Sequence, residues 1–250
     1  MSTYVEGGSA RKRVFLHVGS PKTGTTFLQE VLWRQKDLAA EQGLLLPMRS
    51  FFDHYLATLD VRGLADRPPH PPRAAGMWKA MVDEALRWRG DVLISHELFA
   101  GASQEQASAA VASFPDTVDV HVVVSARDLG RQVPAEWQEH VKHRATQAFP
   151  QFVATLRRER PGAWFWQVQD YPQLLRRWGA GLPSDRLHVV TVPQAGTDPS
   201  TLWSRFAGLV GLQPEAFDLE GLRANTSLGY EQAELLRRVN LALGDRLPMP

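Results

Sequence analysis

The chain has 250 residues, 44% of them hydrophobic, which is enough to bury the core of one α/β domain. Its 28 basic and 27 acidic residues give a formal net charge of +1, so there is no charge excess of the kind that attracts nucleic acid or anionic lipid non-specifically. The absence of cysteine excludes disulfides, thiolate zinc sites and cysteine nucleophiles, and it fits a reducing compartment.

No targeting segment is evident in the sequence. Residues 1–12 contain two glycines and the beginning of a basic run, but no apolar stretch of signal-peptide length, and we expect them to be flexible. No apolar run approaches the ~20 residues that a membrane-spanning helix requires. We therefore expect a cytoplasmic protein without a membrane span, with a single domain over residues 1–250.

Strand-like and helix-like patterns alternate along the chain. Residues 13–18 are β-branched and aromatic and end at a glycine, as in a buried parallel strand, and residues 25–42 then have the apolar spacing of a helix. Further strands are predicted at 92–95, 118–125 and 186–192, each separated from the next by a helical pattern. This alternation predicts an α/β fold, a three-layer sandwich with a central parallel sheet flanked by helices.

Local signals mark helix starts and loops. Ser103 followed by Gln106 predicts a capping box, and Asp198 before Pro199 predicts another helix start. The proline-rich stretch 62–76 and the stretch 161–166 are predicted to be surface loops that contribute to an acceptor pocket.

The most informative segment lies between the first strand and the first helix. It reads His17-Val18-Gly19-Ser20-Pro21-Lys22-Thr23-Gly24-Thr25-Thr26. Glycines with the spacing of a Walker A loop let peptide N–H groups close on a phosphate, and the N-terminus of the following helix adds partial positive charge. The sequence therefore predicts a phosphate-binding loop.

The position of its lysine argues against a nucleoside triphosphate. In a Walker loop the lysine follows the second glycine, where it reaches the β- and γ-phosphates. Here Thr25 takes that place, and Lys22 lies inside the loop.

The run Pro21-Lys22-Thr23-Gly24-Thr25-Thr26 resembles the 5′-phosphosulfate-binding loop of sulfotransferases that use 3′-phosphoadenosine 5′-phosphosulfate (PAPS). Their fold is related to that of P-loop NTPases and kinases. The resemblance implies that the backbone from Lys22 to Thr26 holds the 5′-phosphate, with Ser20 as a further binding residue, and that Lys22 neutralises the oxygen that bridges phosphorus and sulfur. This interpretation requires that the peptide nitrogens of the loop face a cavity and that Lys22 is not buried in an unrelated ion pair.

A second anion site is predicted after the strand at 118–125. In sulfotransferases an arginine at this position grips the 3′-phosphate of the donor, and Arg127 matches it; a guanidinium offers paired donors to phosphate oxygens. Many cytosolic members have a serine eight residues later, where this chain has Ala135. Arg131 or Ser125 could replace that hydroxyl. The block 127–144 resembles bacterial, actinobacterial-type sulfotransferases, as does the segment 223–228.

Sulfuryl transfer to an alcohol requires a base that takes the acceptor proton. His96 and Glu97 follow the predicted strand at 92–95, and the resemblance permits either residue. Neighbours on an extended strand point to opposite faces, so both are not expected to address one acceptor oxygen. We favour His96, because its ordinary pKa lies near neutrality. His17 ranks third.

The sequence thus predicts a PAPS-dependent sulfotransferase that releases 3′,5′-adenosine bisphosphate (PAP) and needs no metal. A metal site of Glu136, His140 and His143 is disfavoured, because acids and bases alternate along 136–144 as on a solvated helix face. Expected partners are a small-molecule, carbohydrate or lipid acceptor, contacted by Trp164 or Trp166, and possible further copies in a homo-oligomer. The alternatives are a P-loop small-molecule kinase and a non-catalytic nucleotide-binding protein on the same scaffold.

Overall fold

The computed structural model describes residues 11–158, 163–198, 200–222 and 228–246. Five strands in these ranges form one sheet in the order β2-β3-β1-β4-β5, and each neighbouring pair is parallel. The strands are β1 (Lys12–His17), β2 (Leu44–Leu45), β3 (Asp91–Ser95), β4 (Val118–Ala126) and β5 (Leu187–Thr191).

Helices connect successive strands, as parallel pairing requires. The α-helices of the described residues are α1 (Thr25–Arg34), α2 (Lys36–Glu41), α3 (Phe51–Val61), α4 (Met77–Arg87), α5 (Gln104–Val111), α6 (Leu129–Lys142), α7 (Phe149–Arg158), α8 (Trp164–Gln169), α9 (Tyr171–Trp178), α10 (Ser200–Val210) and α11 (Tyr230–Leu243).

Two hydrophobic cores lie on opposite faces of the sheet. Val14 and Leu16 of β1 pack with buried residues of α4, α5 and α9, whereas Phe15 packs with residues of α1, α2 and α10. Successive side chains of a strand point to opposite faces, so one strand serves both cores. The predicted three-layer α/β sandwich is confirmed.

A third apolar cluster lies apart from the two cores and joins α6, α7, α8 and α11. Its buried residues are Trp137, Val141, Phe152, Leu156, Phe165 and Ala233. This cluster fixes the position of α6, which also carries acidic residues of the candidate site.

Most predicted element boundaries agree with the structure to within one residue. The four predicted strands correspond to β1, β3, β4 and β5, and Lys12 belongs to β1 rather than to the segment expected to be flexible. The single helix predicted over 25–42 is two helices, because Gln35 has a non-helical backbone (φ −126°, ψ 37°). The two-residue strand β2 was not predicted.

The local signals were partly correct. The Ser103 hydroxyl accepts a hydrogen bond from the peptide N–H of Gln106, whose side chain accepts one from Ser103, so the capping box is confirmed. The prediction of a loop over 161–166 was wrong for residues 164–166, which form the first turn of α8.

Some predictions concern residues that the structure does not describe. Residues 1–10, Pro161, Gly162, Pro199 and the segment 223–227 lie outside the described residues. Among the helices that are described, none combines the length and apolar character that crossing a bilayer requires.

Candidate functional site

A cavity of about 610 Å³ lies where β1, β3 and β4 end. In open parallel α/β sheets, ligands bind at this carboxyl edge. The cavity is lined by the loop after β1, the turn after β3, Arg127 after β4, one face of α6, and Trp164 of α8. Its lining residues are Pro21, Lys22, Gly24, Thr25, Thr26, Glu97, Leu98, Arg127, Ala135, Glu136, Gln138, Glu139, His140, Lys142, His143, Trp164 and Val192.

Ser20 and Thr23 anchor the loop rather than face the cavity. Both are fully buried. The peptide N–H of Ser20 donates to the carbonyl of Ser125, its hydroxyl donates to the carbonyl of Val168, and the Thr23 hydroxyl donates to the carbonyl of Ser20. The side chains of these two predicted binding residues are therefore already engaged within the protein.

Two glutamines hold the loop from the other side. Gln132 Nε2 donates to the carbonyl of Pro21 at 2.7 Å, and Gln169 Nε2 donates to the same oxygen at 3.1 Å. Sequence analysis missed both residues, because a glutamine within a helix gives no signal of a distant partner.

The loop presents a set of free peptide donors. None of the N–H groups from Lys22 to Thr26 donates a hydrogen bond to another described group, and no side chain caps α1. Gly24 has φ 83°, and a Cβ atom there would lie 2.5 Å from Leu202 Cδ2, so the turn requires glycine. Thr25 and Thr26 line the cavity at the first turn of α1. These donors fit an anion such as phosphate.

Lys22 lies on the cavity wall and already has a partner. Its Nζ is 2.7 Å from Glu139 Oε2, and both side chains are 30% exposed. Burial raises the pKa of Glu139, but the hydrogen bonds and charges of Lys22 and Lys142 outweigh it and hold that pKa below its ordinary value. Lys22 is thus paired but not buried, and its ammonium group remains accessible from the cavity.

Arg127 lines the cavity next to the loop. Its Nη1 donates to the carbonyl of Lys22 at 3.3 Å, and its buried Nε has no hydrogen-bond partner among the described residues. The Tyr171 hydroxyl accepts from the Arg127 peptide N–H and donates to its carbonyl, which fixes the backbone here. A half-buried guanidinium that lines a cavity and has an unpaired nitrogen suits an anionic ligand.

The two groups that could replace the missing serine lie outside the cavity lining, although Arg131 Nη2 is buried without a hydrogen-bond partner among the described residues. Arg131 Nε pairs with Asp128 at 2.5 Å, and its Nη1 donates to the carbonyl of Pro193. The Ser125 hydroxyl is buried against His17. Ala135 itself lines the cavity. The structure therefore brings Arg127, but neither Arg131 nor Ser125, to the cavity lining.

His17 supports the site from beneath. It is completely buried, with Nδ1 2.8 Å from the Ser95 hydroxyl and Nε2 2.9 Å from the Ser125 hydroxyl. Burial, with a smaller contribution from His96, lowers the pKa of His17 to about 3. This neutral ring links β1 to both neighbouring strands.

His96 and Glu97 have different surroundings. His96 is 4% exposed, stacks on Phe51 with ring centroids 4.9 Å apart, and accepts a hydrogen bond at Nδ1 from Leu98, and burial lowers its pKa. Glu97 lines the cavity, and its Oε2 is 3.4 Å from Gln29 Nε2. Of the two base candidates, only Glu97 is among the residues that line the cavity.

The two tryptophans predicted to contact the acceptor lie in different places. Trp164 lines the cavity, and the guanidinium carbon of Arg62 lies 5.0 Å from its ring centroid. Trp166 packs in the third cluster and donates to the carbonyl of Leu156.

The acidic face of α6 is the main feature that sequence analysis missed. Glu136, Glu139, His140 and His143 all line the cavity. His140 and His143 are exposed, as expected for a solvated face, whereas Glu136 is buried. Within the described ranges, no three His, Asp or Glu side chains come together in a way that could hold a metal ion.

Neither a family model nor a curated protein sequence matches the chain. Among solved structures, the chain is similar to the crystal structure of a sulfotransferase from Alicyclobacillus acidocaldarius, with a TM-score of 0.54 and 16% identity over 96% of this chain and 95% of that chain. This similarity shows a shared fold. A fungal RNA kinase matches with a TM-score of 0.31 and 12% identity over 95% of this chain and 99% of the kinase, which is too weak to support an argument.

Proposed function

We propose that the chain is a transferase, and specifically a PAPS-dependent sulfotransferase that moves a sulfuryl group to a hydroxyl or amine acceptor and releases PAP. The observation that supports this most is the cradle of unpaired peptide N–H groups from Lys22 to Thr26, with a lysine inside the loop. The unused donor of Arg127 in the same cavity supports a second anionic group on the ligand.

The residues fit the charges of such a donor. PAPS would supply the sulfuryl group, with its 5′-phosphate on the peptide donors and its 3′-phosphate on Arg127. Lys22 would release Glu139 and bind the oxygen that bridges phosphorus and sulfur. There it would stabilise the negative charge that develops as the S–O bond breaks.

Glu97 is our proposed base. Its carboxylate lies on the cavity lining, and it would take the proton from the acceptor oxygen as that oxygen bonds to sulfur. His96 acts on Glu97 through the backbone, because its Nδ1 accepts from the peptide N–H of Leu98 and its ring is enclosed by aromatic side chains, which fixes the turn that carries Glu97. We therefore assign His96 a positioning role.

The kinase alternative is less well supported. A P-loop kinase uses a lysine directly after the second glycine to reach the β- and γ-phosphates, and Thr25 stands there. The non-catalytic alternative is weakened by Glu97, since a cavity that only binds nucleotide has no need of a carboxylate base.

Titration calorimetry with PAP and with magnesium–ATP tests the proposal. We expect PAP to bind without magnesium and ATP to bind at least about tenfold more weakly, because each charged hydrogen bond contributes about 1.5–3 kcal/mol. Heat from magnesium–ATP with none from PAP would instead favour a kinase. Consumption of PAPS across a panel of phenols, sugars and amines would then separate an enzyme from a binding protein.

Arg127→Ala tests the second anion site. Loss of its hydrogen bonds to a phosphate should weaken PAP binding by about 1.5–3 kcal/mol, or roughly 10- to 150-fold. The exposed Arg89 provides a control, and Arg89→Ala should leave the dissociation constant unchanged. The same constant for Arg127→Ala and the unmodified protein would remove Arg127 from the donor site.

A further inference from the structure

Glu136 is a buried acid among the residues that line the cavity, and one of its oxygens has no hydrogen-bond partner among the described residues. The residue is 6% exposed, and the oxygen without a described partner is Oε2. Its Oε1 is 3.7 Å from His140 Nε2, which is longer than a hydrogen bond. A buried carboxylate oxygen without a partner is costly, so a cationic or hydrogen-bond-donating group of a ligand would be stabilised at this place.

The nearby permanent cations of the lining do not neutralise Glu136. Lys22 and Lys142 both pair with Glu139, at 2.7 and 3.4 Å, and Arg127 contacts the carbonyl of Lys22. Glu97 adds a second carboxylate without a lysine or arginine partner in the described part of the chain.

A tryptophan also lines the cavity. Trp164 is 38% exposed and lines the cavity, and Arg62 lies over its ring. An indole wall suits the flat or apolar body of an organic molecule. The cavity therefore combines an anion cradle with a region that is acidic on α6 and aromatic on α8.

We infer that the acceptor is an amino alcohol or a phenol with an alkylamine side chain, whose protonated amine binds Glu136 while its hydroxyl receives the sulfuryl group. This inference rests on the proposed function. A neutral hydroxyl could donate to Glu136 Oε2 but would leave its charge unbalanced, whereas an ammonium group satisfies both the hydrogen bond and the charge. An anionic acceptor would be repelled by Glu97 and Glu136.

The chemistry balances with the residues already named. The acceptor oxygen forms a bond to sulfur, the bond from sulfur to the bridging oxygen breaks, and PAP leaves with that electron pair. Glu97 takes the hydroxyl proton. The ammonium on Glu136 stays protonated, so it orients the acceptor and does not compete as the nucleophile.

Matched acceptor pairs test the inference by calorimetry on the PAP-saturated protein. The pairs are tyramine with 4-ethylphenol and glucosamine with glucose, whose members share the hydroxyl scaffold and differ in the amine. We expect the amine of at least one pair to bind about tenfold or more tightly than its neutral partner. Glu136→Gln should remove this preference without changing PAP affinity, and Glu41→Gln, on the exposed end of α2, should keep it.

The same variant also distinguishes a binding role from a structural one. Because Glu136→Gln removes an unpaired buried charge, its melting temperature should equal or exceed that of the unmodified protein. A lower melting temperature, a preference that survives in Glu136→Gln, or no amine preference in either pair would overturn the inference. Failure of PAP itself to bind would instead reject the proposed function.

Discussion

Lys22 has an anionic partner in the structure and would have another in the proposed reaction. The 2.7 Å pair with Glu139 lies at the cavity wall, with both side chains partly exposed to solvent. Partly exposed ion pairs contribute little to stability, so a multivalent anion on the neighbouring peptide donors can displace Glu139. Glu139 would keep its contacts with Lys142 and His143 when Lys22 moves.

Replacing Lys22 with alanine tests whether this residue takes part in turnover. The loop is held by Ser20, Thr23, Gln132 and Gln169, so the variant should keep its fold while transfer from PAPS falls by at least about a hundredfold, as when one charge-stabilising donor is removed. The assay is PAP release at saturating PAPS, with circular dichroism as the check on folding.

Lys79 supplies the matched control for that measurement. Its side chain is 80% exposed and pairs with Asp83 on α4, so Lys79→Ala should turn over PAPS as the unmodified protein does. If Lys22→Ala retained comparable activity, the lysine would have no part in the mechanism.

The sequence identified His96 and Glu97 as candidate bases but could not show which of them lines the cavity. We expected alternation along a strand to separate His96 from Glu97, but β3 ends at Ser95 and Glu97 begins a 3-10 turn, so their different surroundings have another cause. Which one faces the cavity depends on Phe51 and Tyr55 of α3, which enclose the His96 ring. That contact is distant in sequence and leaves no local signal.

At the scale of elements, the strand–loop–helix unit around β1 and α1 could be predicted from sequence. Buried parallel strands are continuous apolar runs, and glycines mark the turn that follows, so both signals are local. β2 is only two residues long, which is too short to show a periodic pattern in the sequence. The apolar spacing of residues 25–42 continues through Gln35, so the sequence gives no sign that the helix ends there.

Helix α6 shows the opposite case. Its alternating acids and bases predicted a solvated face, but Trp137 packs against Phe149 and Tyr230 and turns Glu136 and Glu139 toward the cavity. The orientation of a helix depends on tertiary contacts, which its own charge pattern does not contain.

The capping box of α5 should contribute measurably to stability. Ser103→Ala removes the hydroxyl that accepts from the peptide N–H of Gln106 and should lower the free energy of unfolding by about 1 kcal/mol. Urea denaturation measures the loss. Ser108→Ala, within the same helix, should be neutral or slightly stabilising because alanine favours helix. Equal effects of the two substitutions would mean that the cap does not stabilise the helix.

At the scale of the whole molecule, two buried histidines tie the sheet to α3 beneath the candidate site. His17 contacts the Ser95 hydroxyl, and His54 Nδ1 accepts from the Ser95 peptide N–H while its Nε2 lies 2.9 Å from the carbonyl of Pro47. Both rings are completely buried, and burial is the main cause that lowers the pKa of His17 to about 3 and that of His54 to about 4. A proton on His54 Nδ1 would replace an accepted hydrogen bond with a repulsive contact.

This burial makes the stability of the entire fold depend on pH. Below pH ~6.5 the unfolded chain binds protons at both histidines while the folded protein does not, so the free energy of unfolding falls as pH decreases toward the folded pKa values. We expect a loss of about 1 kcal/mol for each histidine, or about 2 kcal/mol together, between pH 6.5 and 5.5. Urea denaturation at the two pH values measures the loss, and NMR of the ring protons should show both histidines still neutral at pH 5.5. Ring resonances that titrate near pH 6.5 in the folded protein would show that these side chains are accessible to protons, and the network under the cavity would then be looser than its hydrogen bonds imply.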